Sequence, residues 1–272
     1  MAYDLSETIK IFINAGTLPL SRSVSRVQEM LRSSDYNAAD LAEHMRTDPT
    51  LTARVMSVAN SAFFSQSPCE AITDAVNRLG STQLMRIFAQ VLARAAMLSP
   101  LQAYGLTPDK IWRRAVYAAV GAELAAARKR EDRSVAYMVG LLHEIGMLVI
   151  NSQWARQYGA KQLAFEGFET EYSADERARY QFDQATLGGE LLKQLAFPET
   201  VYRIVGTQYQ NPQEPLARAL YLGRLAQAVH CSALVPVCDR RVAELFDLDS
   251  KRNLDTFLAE VHEEAQNRIQ RS

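Results

Sequence analysis

Residues Gly140 to Val149 read GLLHEIGMLV, so that two ionisable side chains, His143 and Glu144, stand side by side in an otherwise apolar run. Burying a charge costs several kcal/mol unless it is paired, hydrogen-bonded or bound to a metal. An imidazole nitrogen and a carboxylate can both ligate a metal, but one His-Glu step falls short of the roughly three protein ligands of a catalytic zinc site. The residues alone leave two readings: a hydrogen-bonded structural pair, or part of a metal site completed from elsewhere in the chain.

Other candidates for chemistry are sparse. His44 lies beside Glu43 and reads as a surface histidine, while His230 and His262 have no ligand-like company in the sequence. Cys69, Cys231 and Cys238 are odd in number and lack Cys-x-x-Cys spacing, which is neither a disulfide framework nor a zinc knuckle. Arg128-Lys129-Arg130 reads as a solvated helix C-terminus favoured by the helix dipole. Nucleic acid is not an expected partner.

The elements that must position these residues are helical. At 272 residues and 48% hydrophobic content, the chain can bury a sizeable core as one large or two modest domains. Its net charge of −1 sets up no global field towards nucleic acid or an anionic membrane. The N-terminus has no basic region ahead of a long apolar stretch, and no run approaches the ~18 consecutive apolar residues that would cross a bilayer. The expectation is a reduced, soluble, cytoplasmic protein without a membrane span.

Apolar residues recur with helical spacing almost throughout, and strand-like alternation is scarce, so the fold class reads as all-α. A first helix is expected over about Leu5 to Ala15, ending at Gly16, with Leu18-Pro19-Leu20 extended after it. A second carries Val24, Val27, Met30 and Leu31 and breaks at Ser33-Ser34-Asp35. Asp48-Pro49 and Thr107-Pro108 each place a capping side chain before a first-turn proline. Leu51, Val55, Val58, Ala59 and Ala62 form one stripe, Phe63 and Phe64 should bury area between helices, and Gly80 suits a left-handed position at a helix end. The helix after Pro108 is rich in Ala and carries Gly121, which lets a neighbour pack close. VAYMVGLLHEIGMLVI is apolar on all sides and reads as one buried central helix. Trp154, Tyr158, Leu163 and Phe165 continue into a looser helix, and further helices follow to the C-terminus.

The run "LAEHMRTDPTLTARVMSVANSAFF", followed by "ITDAVNRLG" and "STQLMRI", closely resembles the HDOD family. Its pattern there is an acidic helix, Asp-Pro-x-Leu-x-x-Arg, Ala-Asn-Ser-Ala-Phe and a helix closing with Leu-Gly. HDOD proteins are an offshoot of the HD superfamily of metal-dependent phosphohydrolases, found in bacterial signalling proteins, that has lost much of the metal-binding set. The family's Phe-Asp-His-x-x-x-Gly step, "LLxxWxLP" and final histidines have counterparts in Phe182-Asp183-Gln184, Gly188, "LLKQLAFP" and Gln208-Tyr209-Gln210. The resemblance covers about Gly16 to Pro212. It implies a multi-helix HD-like bundle over 16–212, preceded by an N-terminal helix over 1–15 and followed by a C-terminal helical extension over 213–272 that packs on the HD-like half.

The resemblance also implies where a metal site would stand. An HD hydrolase uses an early histidine, the His-Asp step and a late aspartate to hold one or two divalent ions. The matching positions here are Arg114, His143, Glu144 and Gln227, and the glycine-lysine after the step is Gly146-Met147. A guanidinium offers only N–H donors and a positive charge, so Arg114 opposes a metal. Glu144 would have to re-aim its oxygens, and Gln227 is a poor ligand. Only His143 is kept, and no residue is assigned as catalytic or as a metal ligand; no cofactor is expected. Arg114 and Glu144 carry opposite charge on helices that the resemblance sets side by side, so an internal ion pair is expected to fill the hole.

The expected function is a non-catalytic regulatory or scaffolding module in bacterial signal transduction, binding a protein partner or a nucleotide. Two alternatives stand beside it. One is a phosphohydrolase or phosphodiesterase with a rearranged site using His143, Glu144 and Asp183. The other is a cyclic-dinucleotide receptor gripping phosphates through Arg113, Arg114 or Arg128.

Overall fold

Capping side chains and first-turn prolines set the helix starts in this computed structural model, which describes residues 4–15, 26–27, 29–31, 37–61, 64, 67–158, 169–210, 212–231 and 240–270. Helix α1, Leu5–Asn14, begins where the Asp4 carboxylate accepts from the Glu7 N–H at 3.0 Å. α2, Ala38–Arg46, is capped by Asn37, and α3, Pro49–Ala59, by Asp48 with Pro49 in the first turn. α4 runs Ile72–Ala96, a short 3-10 turn covers Gln102–Tyr104, and α5, Pro108–Arg128, is capped by Thr107. α6 spans Arg133–Leu142, α7 Met147–Tyr158, α8 Glu169–Tyr180 and α9 Gln184–Gln194. α10, Glu199–Gly206, α11, Pro215–Cys231, α12, Arg240–Leu245, and α13, Lys251–Gln270, complete the order. No strand occurs among the described residues, so the all-α expectation holds. Gly16, Leu18-Pro19-Leu20, Ser33-Ser34-Asp35, Ala62, Phe63, Leu163, Phe165, Cys238 and most of the expected second helix lie outside the described residues.

Gly80 does adopt positive φ, at φ 68° and ψ 172°, and two helical stretches meet there at a kink within α4, as expected of a glycine at a helix end. A Cβ there would meet nothing within 4 Å, so backbone conformation and not space selects glycine.

The centre of the fold is three helices at near backbone contact. A Cβ on Gly140 of α6 would lie 2.5 Å from the Ala118 carbonyl oxygen of α5, and one on Gly223 of α11 would lie 2.3 Å from the same atom. Gly121 faces Gly223 Cα at 2.8 Å by the same construction, which is the close approach that the Ala-rich helix suggested. One continuous core joins Ile9 and Phe12 of α1 to Phe257, Val261 and Ala265 of α13 through these helices.

One expectation needs correction. The central apolar segment is not one helix: α6 stops at Leu142, residues 143–146 form turns, and α7 restarts at Met147. The break coincides with a backbone approach, since a Cβ on Gly146 would lie 1.8 Å from the Gln184 carbonyl oxygen. The stretch Arg133–Gln153 is nonetheless long and apolar enough by composition to cross a membrane, and 83% of its most apolar part is buried inside the fold. The basic end of α5 is exposed, as expected, and its side chains also pair at the surface. Arg128 pairs with Glu260 at 2.9 Å and lies over the Phe257 ring, and Lys129 pairs with Asp247 at 3.2 Å, so this end pins the C-terminal helices.

Candidate functional site

Three elements bring the four positions singled out in the sequence into one buried cluster. α5 supplies Arg114, the turn after α6 supplies His143 and Glu144, and α11 supplies Gln227; all four are buried. Arg114 Nε lies 3.1 Å from each Glu144 oxygen, and Nη2 makes a third, short contact to Oε1. Gln227 Nε2 donates to the same Oε1 at 3.0 Å. Burial alone would raise the Glu144 pKa, but the Arg114 charge, His143 and the hydrogen bonds from Arg114 and Gln227 outweigh it and hold it at about 2.

His143 is fixed from both sides. Its Nδ1 lies 2.7 Å from the Gly140 carbonyl, which only accepts, so Nδ1 carries a proton. Its Nε2 is 3.9 Å from Glu144 Oε1 and has no hydrogen-bond partner. The His143 carbonyl accepts from Gln208 Nε2 at 2.7 Å.

A second polar set adjoins the first, reached through the residues that stand where the resemblance puts histidines. Gln184 Nε2 donates to the Tyr209 hydroxyl at 2.6 Å, and Arg224 both donates to the Gln208 carbonyl at 3.0 Å and lies over the Tyr209 ring. The Gln184 N–H donates to Glu176 Oε2 at 2.7 Å, and the Tyr104 hydroxyl donates to Glu176 Oε1 at 2.7 Å. Desolvation of this buried carboxyl, helped by the charges of Asp183 and Glu144, raises the Glu176 pKa to about 7 against the pull of its two hydrogen bonds. Asp183 caps α9 through the Thr186 N–H and takes the Ser173 hydroxyl and Arg177 on its other oxygen, so it is spent on structure. Gln184 and Gln208 could be found from the sequence as replaced histidines. Tyr104 and Glu176 carried no signal there.

His230 and His262 also meet, contrary to the sequence expectation. Their rings stand 4.8 Å apart, with Tyr117 stacked on His230 at 5.1 Å and its hydroxyl 2.8 Å from His262 Nδ1. The two histidine rings are tilted by 33°, and the His230 Nε2 is taken up by the Leu258 carbonyl at 3.2 Å, so this is a seam between α11 and α13. Among the described residues no group of three or more His, Cys, Asp and Glu is arranged to hold a metal ion.

The divalent ion implied by the HD resemblance does not fit the residues present. Arg114 puts a guanidinium where a ligand would stand, and Arg114 and Gln227 direct N–H donors at the Glu144 carboxylate. Any cation would have to displace both. Beside the cluster, a groove of about 220 Å³ opens between α10 and α11, lined by Arg203, Thr207, Gln208, Gln210 and Glu214 among others. Gln208 joins the groove to the buried site.

The sequence model of the HDOD domain matches residues 18–211. No curated protein matches the chain. Among solved structures, a candidate signal transduction protein from Marinobacter aquaeolei VT8 superposes with a TM-score of 0.61 at 21% identity, over 99% of this chain and 61% of that one. This chain thus spans about three fifths of that protein's length. A candidate metal-dependent phosphohydrolase from Shewanella amazonensis SB2B gives 0.60 at 22% identity, over 96% of this chain and 98% of that one. An HDOD domain protein of unknown function from Geobacter sulfurreducens gives 0.54 at 19%, over 95% and 97%. These likenesses establish the fold.

Proposed function

The chain belongs to the HDOD domain family, and on that premise we propose that it is a non-catalytic regulatory or scaffolding module in bacterial signal transduction that binds a protein partner. The observation that carries this reading is the Arg114–Glu144 pair with Gln227 on the same carboxylate, because it fills the place of a metal with donors and positive charge. Hydrolysis of a phosphoester in this superfamily needs a metal-bound water of lowered pKa, and no side chain in the cluster offers a substitute. The groove beside Gln208 is where we place the partner or a nucleotide, since amide and hydroxyl groups there can pair with a backbone or a base edge.

The phosphohydrolase alternative keeps one observation in its favour, the buried His143 Nε2 without a partner. The cyclic-dinucleotide alternative keeps Arg113 but loses two of its three arginines to ion pairs, Arg114 to Glu144 and Arg128 to Glu260. Elemental analysis of divalent metal, on protein purified without chelator and again after soaking in manganese or iron, tests the proposal. Near-zero metal in both is expected. About one ion per chain that disappears in His143→Ala would overturn it.

A further inference from the structure

We propose that α8 is a proton-gated latch, in which the buried carboxyl of Glu176 holds the helix against the N-terminus of α9 while neutral and loosens it on ionising. A helix at a protein surface normally docks through an apolar stripe. Over 173–180, α8 buries only Ser173, Glu176 and Tyr180. Apart from Tyr180, which joins the hydrophobic core, the attachment over these residues is polar: the Ser173 hydroxyl and Arg177 to Asp183, and Glu176 to the Tyr104 hydroxyl and the Gln184 N–H.

Glu176 is fully buried, and no cation pairs with it among the described residues. The groups around it are Tyr104 of the 3-10 turn, Tyr180 and Arg177 of α8, Asp183 at the start of α9, Glu144 of the central turn and Tyr209 after α10. Arg177 is committed to Asp183 and Arg114 to Glu144. An ionised Glu176 would thus be a third carboxylate in a desolvated site with no counter-ion among the described residues, a cost that outweighs the two donors aimed at its oxygens. Its raised pKa of about 7 agrees.

The sign follows from linkage. A carboxyl whose pKa rises on closure stabilises the closed state fully at low pH, and the effect is lost as pH climbs through the closed-state value. The latch is therefore fully shut below the ordinary carboxyl value of 4.5, weakens as pH climbs from there to about 7, and changes no further above it. Gln184 transmits the change, because its N–H meets Glu176 while its carbonyl oxygen bears on Gly146, next to Glu144. The latch does not depend on whether the site binds a partner or a metal.

Hydrogen exchange of the full chain, corrected for intrinsic rates and read on peptides covering 169–180 against α5 as reference, tests it. In the wild type, protection of α8 should fall by up to about tenfold per pH unit between 4.5 and about 7 and level off above. Glu176→Gln, which can still accept from the Gln184 N–H and donate to the Tyr104 oxygen, should show a flat profile. Tyr104→Phe removes a hydrogen bond that lowers the Glu176 pKa, so its midpoint should move up. A wild-type profile without pH dependence, or a Glu176→Gln profile that follows the wild type, overturns the latch. Should Glu176→Gln not fold, Tyr104→Phe decides, and a midpoint that stays or moves down overturns it.

Discussion

The Arg114 guanidinium closes on the Glu144 carboxylate across 30 residues of chain, with Nε 3.1 Å from both oxygens and the pair shut away from solvent. Removing one partner of such a pair strands the other as a buried charge, and that loss is larger than the net worth of the pair. Arg114→Ala should cost about 3–5 kcal/mol in urea unfolding, whereas Arg114→Met combined with Glu144→Leu should cost far less. A single substitution costing under about 1 kcal/mol would show that the cluster does not hold the helices in place.

The pair also sets the acid limb. Burial pushes the Glu144 pKa up, yet Arg114, His143 and Gln227 together bring it down to about 2 from an ordinary 4.5. A depressed carboxyl contributes stability above its unfolded value, and the contribution is lost as pH falls through the folded value. Glu144→Gln should thus be less stable than the wild type at neutral pH, with the gap narrowing between 4.5 and about 2. Unfolding free energies measured across that range would show a constant gap if Glu144 were not ionised in the folded protein.

Local chemistry was the part of this architecture that the sequence carried openly. Asp48 and Thr107 cap helices with Pro49 and Pro108 in the first turn because capping depends on neighbours a few residues away. Gly121 foretold a close neighbour because it has no side chain to hold one off, but not that the neighbour is Gly223. The break at residues 143–146 was invisible, since an all-apolar pattern gives no cue for a stop and the element pressing there is the distant Gln184 carbonyl. Arg114 opposite Glu144 was legible only once the resemblance had set the helices side by side. Glu176 with Tyr104, and His230 with His262, are meetings of ordinary residues from far-apart helices, and no spacing rule announces them.

The three-helix centre makes a separate prediction. Gly140 and Gly223 both face the Ala118 carbonyl at distances no methyl group tolerates, whereas a Cβ on Gly206 would find its nearest neighbour at 3.5 Å. Gly140→Ala and Gly223→Ala should each lose about 1–3 kcal/mol by forcing helices apart. Gly206→Ala should be neutral or gain up to about 1 kcal/mol from helix propensity. Thermal unfolding of the three variants side by side checks the order, and equal losses would mean that α5, α6 and α11 are not in backbone contact.

If the present cluster opposes a metal because of its residue types, then exchanging those types should restore binding. Arg114→His, Glu144→Asp and Gln227→Asp together rebuild, around His143, the ligand set that the HD resemblance implies. The combined variant removes the buried positive charge and supplies an imidazole and two carboxylates on the same three elements. It should take up about one divalent ion per chain and gain a metal-dependent rise in melting temperature, because an ion that binds only the folded state stabilises it by mass action. Gln227→Asp alone should not, since the Arg114 guanidinium stays beside Glu144 and would pair with the new carboxylate instead. Manganese content and melting curves with and without metal distinguish these cases. Uptake by Gln227→Asp alone would show that Arg114 yields its place to a cation, and the pair would then be a gate on a metal site and not its replacement.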